Sequence, residues 1–104
     1  MNLLDDLKEY LRIDGDDENS SLSSFITAAQ IYLSNAGVQL PTEYYQIVEG
    51  KDIYAQHRLA IHMLSAHYYE SRLIVGQKNE VVPYGLQSII LQLKLVKIDE
   101  SSSV

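Results

Sequence analysis

His57, His62 and His67 recur at five-residue steps along a stretch whose apolar residues read as one helix. Imidazole is the commonest metal ligand, and helices that hold zinc use an i, i+4 histidine pair with a third ligand. A step of five turns the side-chain direction by about 140° on a 3.6-residue helix, so these three point different ways and do not share a metal. At least one is expected to be a hydrogen-bonded core histidine. Glu70 follows His67 by three residues, a spacing that only makes them neighbours on a helix. No nucleophile or oxyanion donor accompanies them, so His67, Tyr69, Glu70 and Arg72 read as a partly buried structural network rather than a catalytic site. Asp14, Asp16 and Glu18 alternate like the start of a calcium loop, but such a loop would continue with Gly and Glu where Asn19 and Phe25 stand. Capping and solubility are the better reading of those carboxylates. The chain has no cysteine, no glycine-rich phosphate loop and no nucleophile elbow. Disulfides, thiolate zinc sites and cysteine nucleophiles are thereby excluded, and neither enzymatic activity nor a cofactor is expected.

Eight tyrosines beside one phenylalanine and no tryptophan are more distinctive. Tyrosine buries ring area while keeping a polar tip, which suits either a protein interface or the wet edge of a core. The formal net charge of −6 is concentrated at the start. Asp5, Asp6, Glu9, Asp14, Asp16, Asp17 and Glu18 are opposed there only by Lys8 and Arg12. Such a segment repels nucleic-acid phosphates, and no basic recognition helix exists, so sequence-specific DNA binding is not expected. The 104 residues suit one domain spanning 1–104 with a modest core, whose remaining apolar surface a partner or further copies would complete. No apolar run is long enough for a membrane span, and Met1 to Asp6 lacks the basic and apolar regions of a signal peptide, which fits a cytoplasmic protein.

The elements that would position these residues are helices. Leu3, Leu4, Leu7 and Leu11 share one face of a helix over 3–12, which Gly15 then breaks. A second helix runs over 17–36, with Asp16 or Asp17 as its N-cap, an apolar stripe of Leu22, Phe25, Ile26, Ala29, Leu33 and Ala36, and Gly37 at its end. Residues 37–52 form a long connection. Thr42 to Val48 could be a helical turn or an extended piece, and Asp52 is a plausible cap for the third helix. That helix, 53–74, is apolar nearly all round and therefore central. After the polar loop Gly76 to Glu80, a fourth helix runs over 84–96. Leu86, Ile89, Ile90 and Leu93 form one stripe of it and Leu91, Leu95 and Ile98 a second, opposite one. A short strand over 93–98 is the alternative for its end. The fold class expected is all-α, a small four-helix bundle.

Several stretches carry a resemblance. Leu4-Asp5-Asp6-Leu7-Lys8-Glu9-Tyr10-Leu11-Arg12-Ile13-Asp14 with the acidic cluster after it is one, and Ala28-Ala29 with Tyr32 is another. His67-Tyr68-Tyr69-Glu70-Ser71-Arg72 and Val82-Pro83-Tyr84-Gly85-Leu86 complete the set, in order over most of the chain. Together they resemble the small head–tail connector (head-completion adaptor) family of tailed bacteriophages and prophages; residues 42–52 carry no family pattern. The resemblance implies a non-enzymatic helical adaptor, made in the host bacterial cytoplasm and placed at the virion head–tail junction. It implies a homo-oligomeric ring of about a dozen copies with heterologous contacts beneath the portal protein. Such a ring extends the DNA channel, past which DNA moves without sequence-specific binding, and docks the next connector or tail protein. On that reading Leu91, Leu95, Ile98 and Tyr84 are candidate subunit or partner contacts, and Asp5, Asp6 and Glu9 a candidate channel-facing segment. The rival reading is a small acidic regulator, monomeric or dimeric, that binds a single protein partner.

Overall fold

In the computed structural model, residues 2–71 and 84–97 are described. Four helices dominate: α1 (Leu3–Leu11), α2 (Asn19–Asn35), α3 (Ala55–Ser71) and α4 (Tyr84–Leu93). A two-stranded antiparallel hairpin, β1 (Ile47–Val48) and β2 (Lys51–Asp52), lies between α2 and α3. The fold is thus a small all-α bundle, as the apolar periodicities predict.

Helix ends explain where the boundaries depart from expectation. Asn2 caps α1, its side chain accepting the Asp5 backbone N–H at 2.8 Å. The helix stops at Leu11, before Gly15, because Arg12 itself takes the left-handed conformation at φ 61°. The Ile13 N–H then bonds the Lys8 carbonyl at 2.8 Å, and the Arg12 N–H the Glu9 carbonyl at 3.2 Å, closing a Schellman motif without glycine. Helix α2 begins two residues later than the cap signal suggested. Glu18 stands at its N-cap with no side-chain capping bond. Asp16 instead spends its carboxylate on Lys8, at 2.7 Å, and on the Asn19 amide. At the other end Gly37 adopts φ 97°, and the Val38 N–H bonds the Leu33 carbonyl. A Cβ at Gly37 would lie 3.3 Å from Lys94 Cε, which can yield, but the backbone conformation cannot. Gly37→Ala is therefore expected to cost about 1–2 kcal/mol, read as a lower denaturation midpoint with unchanged slope.

The helix expected over 84–96 ends at Leu93. Turn-type bonds from Leu95 to Gln92 and from Val96 to Leu93 continue it, and no strand forms among the described residues of this end. The undecided piece 42–48 is extended where it enters the hairpin. Asp52 lies in β2, two residues before Tyr54, whose backbone N–H its carboxylate accepts at the start of α3.

Side-chain contacts set the helix directions. Phe25, near the start of α2, packs on Tyr68 and Tyr69 at the end of α3, so these helices are antiparallel. Asp6 and Tyr10 of α1 meet Arg58 and His62 in ascending order, so α1 runs parallel to α3. Gln92 of α4 bonds Gln56 at 3.3 Å, which brings the end of α4 to the start of α3. The core gathers Leu7, Leu22, Leu33, Ile61, Leu64 and Leu86, all essentially without solvent exposure. Each fully buried leucine or isoleucine contributes about 1.5–3 kcal/mol. Helix α3 is the central element, with residues around most of its circumference buried, His57, His62 and Ser65 included.

Candidate subunit interface and its supporting polar cluster

The two stripes of α4 separate as their spacing requires. Leu86, Ile90 and Leu93 are buried, whereas Leu91 is 64% and Leu95 84% exposed. Beside them a shallow groove of about 280 Å³ is lined by Tyr32, Ala36, Gln87, Ile90, Leu91 and Lys94. Ile98 and the side chain of Tyr84 lie outside the described residues. Apolar side chains also stand in solvent on the hairpin, at Ile47, Val48 and, just after it, Ile53. Exposed apolar groups that sit together are candidate contact surfaces.

The acidic segment divides. Asp5 and Glu9 are exposed on α1, but Asp6 turns inward and joins the connection to α3. The Tyr45 hydroxyl donates to Asp6 Oδ2 at 2.9 Å, and His62 Nε2 lies 3.0 Å from the same oxygen. Tyr10 stacks on the His62 ring with centroids 5.7 Å apart. Arg58, which no sequence motif singles out, is the hub of this cluster. Its guanidinium forks onto both Asp52 carboxylate oxygens, donates to the Tyr44 carbonyl at 2.8 Å, and lies 4.8 Å above the Tyr45 ring. Its Nε is 3.9 Å from Asp6. Arg58 is the sole Lys or Arg between residues 53 and 69, in a helix otherwise free of formal charge there. A lone arginine on a buried helix must be paired, and that is the one signal the sequence offers for it.

These contacts set protonation. Burial raises the Asp6 carboxyl, but hydrogen bonds from His62 and Tyr45 and the charges of His62 and Arg58 outweigh it and hold the group below the usual range. Burial and the facing Asp6 carboxylate push the Tyr45 hydroxyl up, keeping it a donor. Burial pushes His57 down. Two pH windows result. Unfolded His57 takes a proton below about pH 6.5 that the folded site resists, so stability declines as pH falls past that value. Asp6 stabilises fully above about pH 4, and that contribution is lost as pH falls through its lower folded value. Acid titration followed by circular dichroism should show both losses, with Asp6→Asn flattening only the second.

Of the residues expected to form a network at the end of α3, Tyr69 reaches out to the start of α2. Tyr69 donates to Glu18 Oε2 at 3.0 Å, His67 packs against the Tyr68 ring, and Glu70 is exposed. Arg72 lies outside the described residues. The three histidines do point three ways, His57 toward Tyr54 and Gln39, His62 toward α1, and His67 toward Tyr68. Among the described residues no group of three or more His, Asp or Glu could hold a metal ion. No described helix is long and apolar enough to cross a membrane.

The described residues thus form a four-helix unit with uncovered apolar side chains on α4 and on a clamped hairpin. A sequence model of the phage gp6-like head–tail connector proteins matches residues 1–94, and the chain belongs to that family. Its role is accordingly that of a structural component at a phage head–tail junction. No curated protein and no solved structure matched the chain.

Proposed function

We propose that the chain forms a closed homo-oligomeric ring beneath the portal protein, extends the DNA channel and offers a docking surface to the next connector or tail protein. The observation that carries this is the exposure of Leu91 and Leu95 on the outer side of α4 in a member of a connector family. A subunit of a closed ring presents one patch to a different patch of its neighbour, so uncovered apolar area on a lone chain is expected. Tyr84 and Ile98, which flank the stripe in sequence, belong to the same proposed contact. Asp5 and Glu9, exposed on α1, supply the negative charge that keeps DNA from adhering to the channel, with Asp6 acting behind them as a structural partner of Tyr45 and His62. Assembly takes place in the bacterial cytoplasm before the junction is completed.

Native mass spectrometry over a wide concentration range, alone and with the portal protein, tests the proposal. A ring of about a dozen copies in either condition supports it. A strict monomer or dimer that ignores the portal and captures a basic protein would replace it with an acidic single-partner regulator.

A further inference from the structure

We infer that the hairpin of one copy docks on the outer stripe of α4 of the next copy, with Glu49 at the hairpin tip facing Lys94 and Lys97. This rests on the ring reading and names the two surfaces that meet. The hairpin carries Ile47 at 73% and Val48 at 49% exposure, with Ile53 at its base also uncovered. Two-residue strands do not sustain themselves, yet this pair is held firmly from below. The Ile53 N–H bonds the Gln46 carbonyl, and Arg58 grips both Asp52 and the Tyr44 carbonyl. The tip is a left-handed turn, with Glu49 at φ 53° and Gly50 at φ 77°. Glycine or asparagine takes the first of these positions at little cost, whereas glutamate is strained there. A carboxylate kept at a strained, exposed tip points to a use for its charge.

The complementary surface lies on α4. Leu91, Leu95 and Val96 are exposed beside Lys94 and Lys97, and residues 84–97 hold no acid. The hairpin and α4 do not cover one another within a single chain, since both sets of side chains remain in solvent. Pairing α4 with α4 of a second copy would bring Lys94 and Lys97 against their own counterparts, and pairing hairpin tips would oppose two glutamates. Hairpin on α4 matches apolar to apolar and acid to base, and it is heterologous, as ring closure needs.

The chain has no cysteine, so engineered thiols report contacts without background. Val48→Cys and Leu95→Cys, both at exposed sites, are made singly and together, and each protein is oxidised alone and with portal protein while native mass spectrometry records whether rings are present. The expected result is a ladder of linked chains from the double variant, linked dimers from the two single variants mixed, and none from either single variant alone. Rings with no ladder would overturn the inference and leave the ring reading standing. Dimers from Leu95→Cys alone would overturn it in favour of an α4–α4 contact. Absence of rings under every condition would remove the ring reading and this inference together.

Discussion

The double variant Leu91→Lys/Leu95→Lys is expected to lose ring assembly while keeping its fold. Both side chains stand in solvent in the single chain, so replacing them touches no core contact. Each substitution at such a site usually changes stability by about 0.5 kcal/mol or less, so the pair shifts Tm by about 8 °C at most for a domain of this size. The same leucines buried in a contact would each contribute about 2 kcal/mol, and lysine would bring positive charge to a site already flanked by Lys94 and Lys97. The loss is about 4 kcal/mol per contact, roughly a thousandfold in affinity, repeated at every interface of the ring. Analytical ultracentrifugation beside a thermal melt separates the two effects. Rings that persist with an unchanged melt would remove this stripe from the interface.

Arg58→Ala is expected to give the largest loss of stability at a polar position. The guanidinium is mostly covered and serves Asp52, the Tyr44 carbonyl, the Tyr45 ring and Asp6 at once. Its removal leaves a carbonyl and a part-covered carboxylate without this donor, and frees the base of the hairpin. Because Asp6 and Asp52 keep some solvent contact, the cost falls below that of a fully buried pair, at about 2–3 kcal/mol, or about 10–20 °C in Tm. Arg58→Lys keeps the charge but not the fork and should recover only part of this. Urea titration of both variants gives the comparison; equal stability of Arg58→Ala and the natural chain would show the cluster to be energetically idle.

Local pattern carries most of the helical architecture and little of the polar wiring. The separation of Leu86, Ile90 and Leu93 from Leu91 and Leu95 comes directly from 3.6-residue geometry, and the structure has the same division. The terminus of α2 is marked by Gly37, the residue type its left-handed φ requires. The early stop of α1 is hidden, because Arg12 has no intrinsic preference for that conformation. The hairpin is hidden too: its strands are two residues each, too short for an alternating pattern to show, and Glu49 disguises a turn that asparagine would have announced. Asp6 looks like its neighbours Asp5 and Glu9 because one-dimensional spacing places all three on the polar side of α1. What distinguishes it is partners in the connection and in α3, which become neighbours only when the chain closes.

Those distant partners also bear on the order in which the molecule assembles itself. The bridge from His62 to Asp6 joins residues 56 apart, and that from Tyr69 to Glu18 residues 51 apart. Each requires a long loop to be closed before it returns any free energy, whereas α2 and α3 can begin to pair where they flank the shorter connection between them. Contacts this distant in sequence are therefore expected to form late when the chain folds and to part early when it opens. Loosening either bridge should accelerate unfolding far more than it slows folding, so the bridges act chiefly as a brake on the opening of the finished protein.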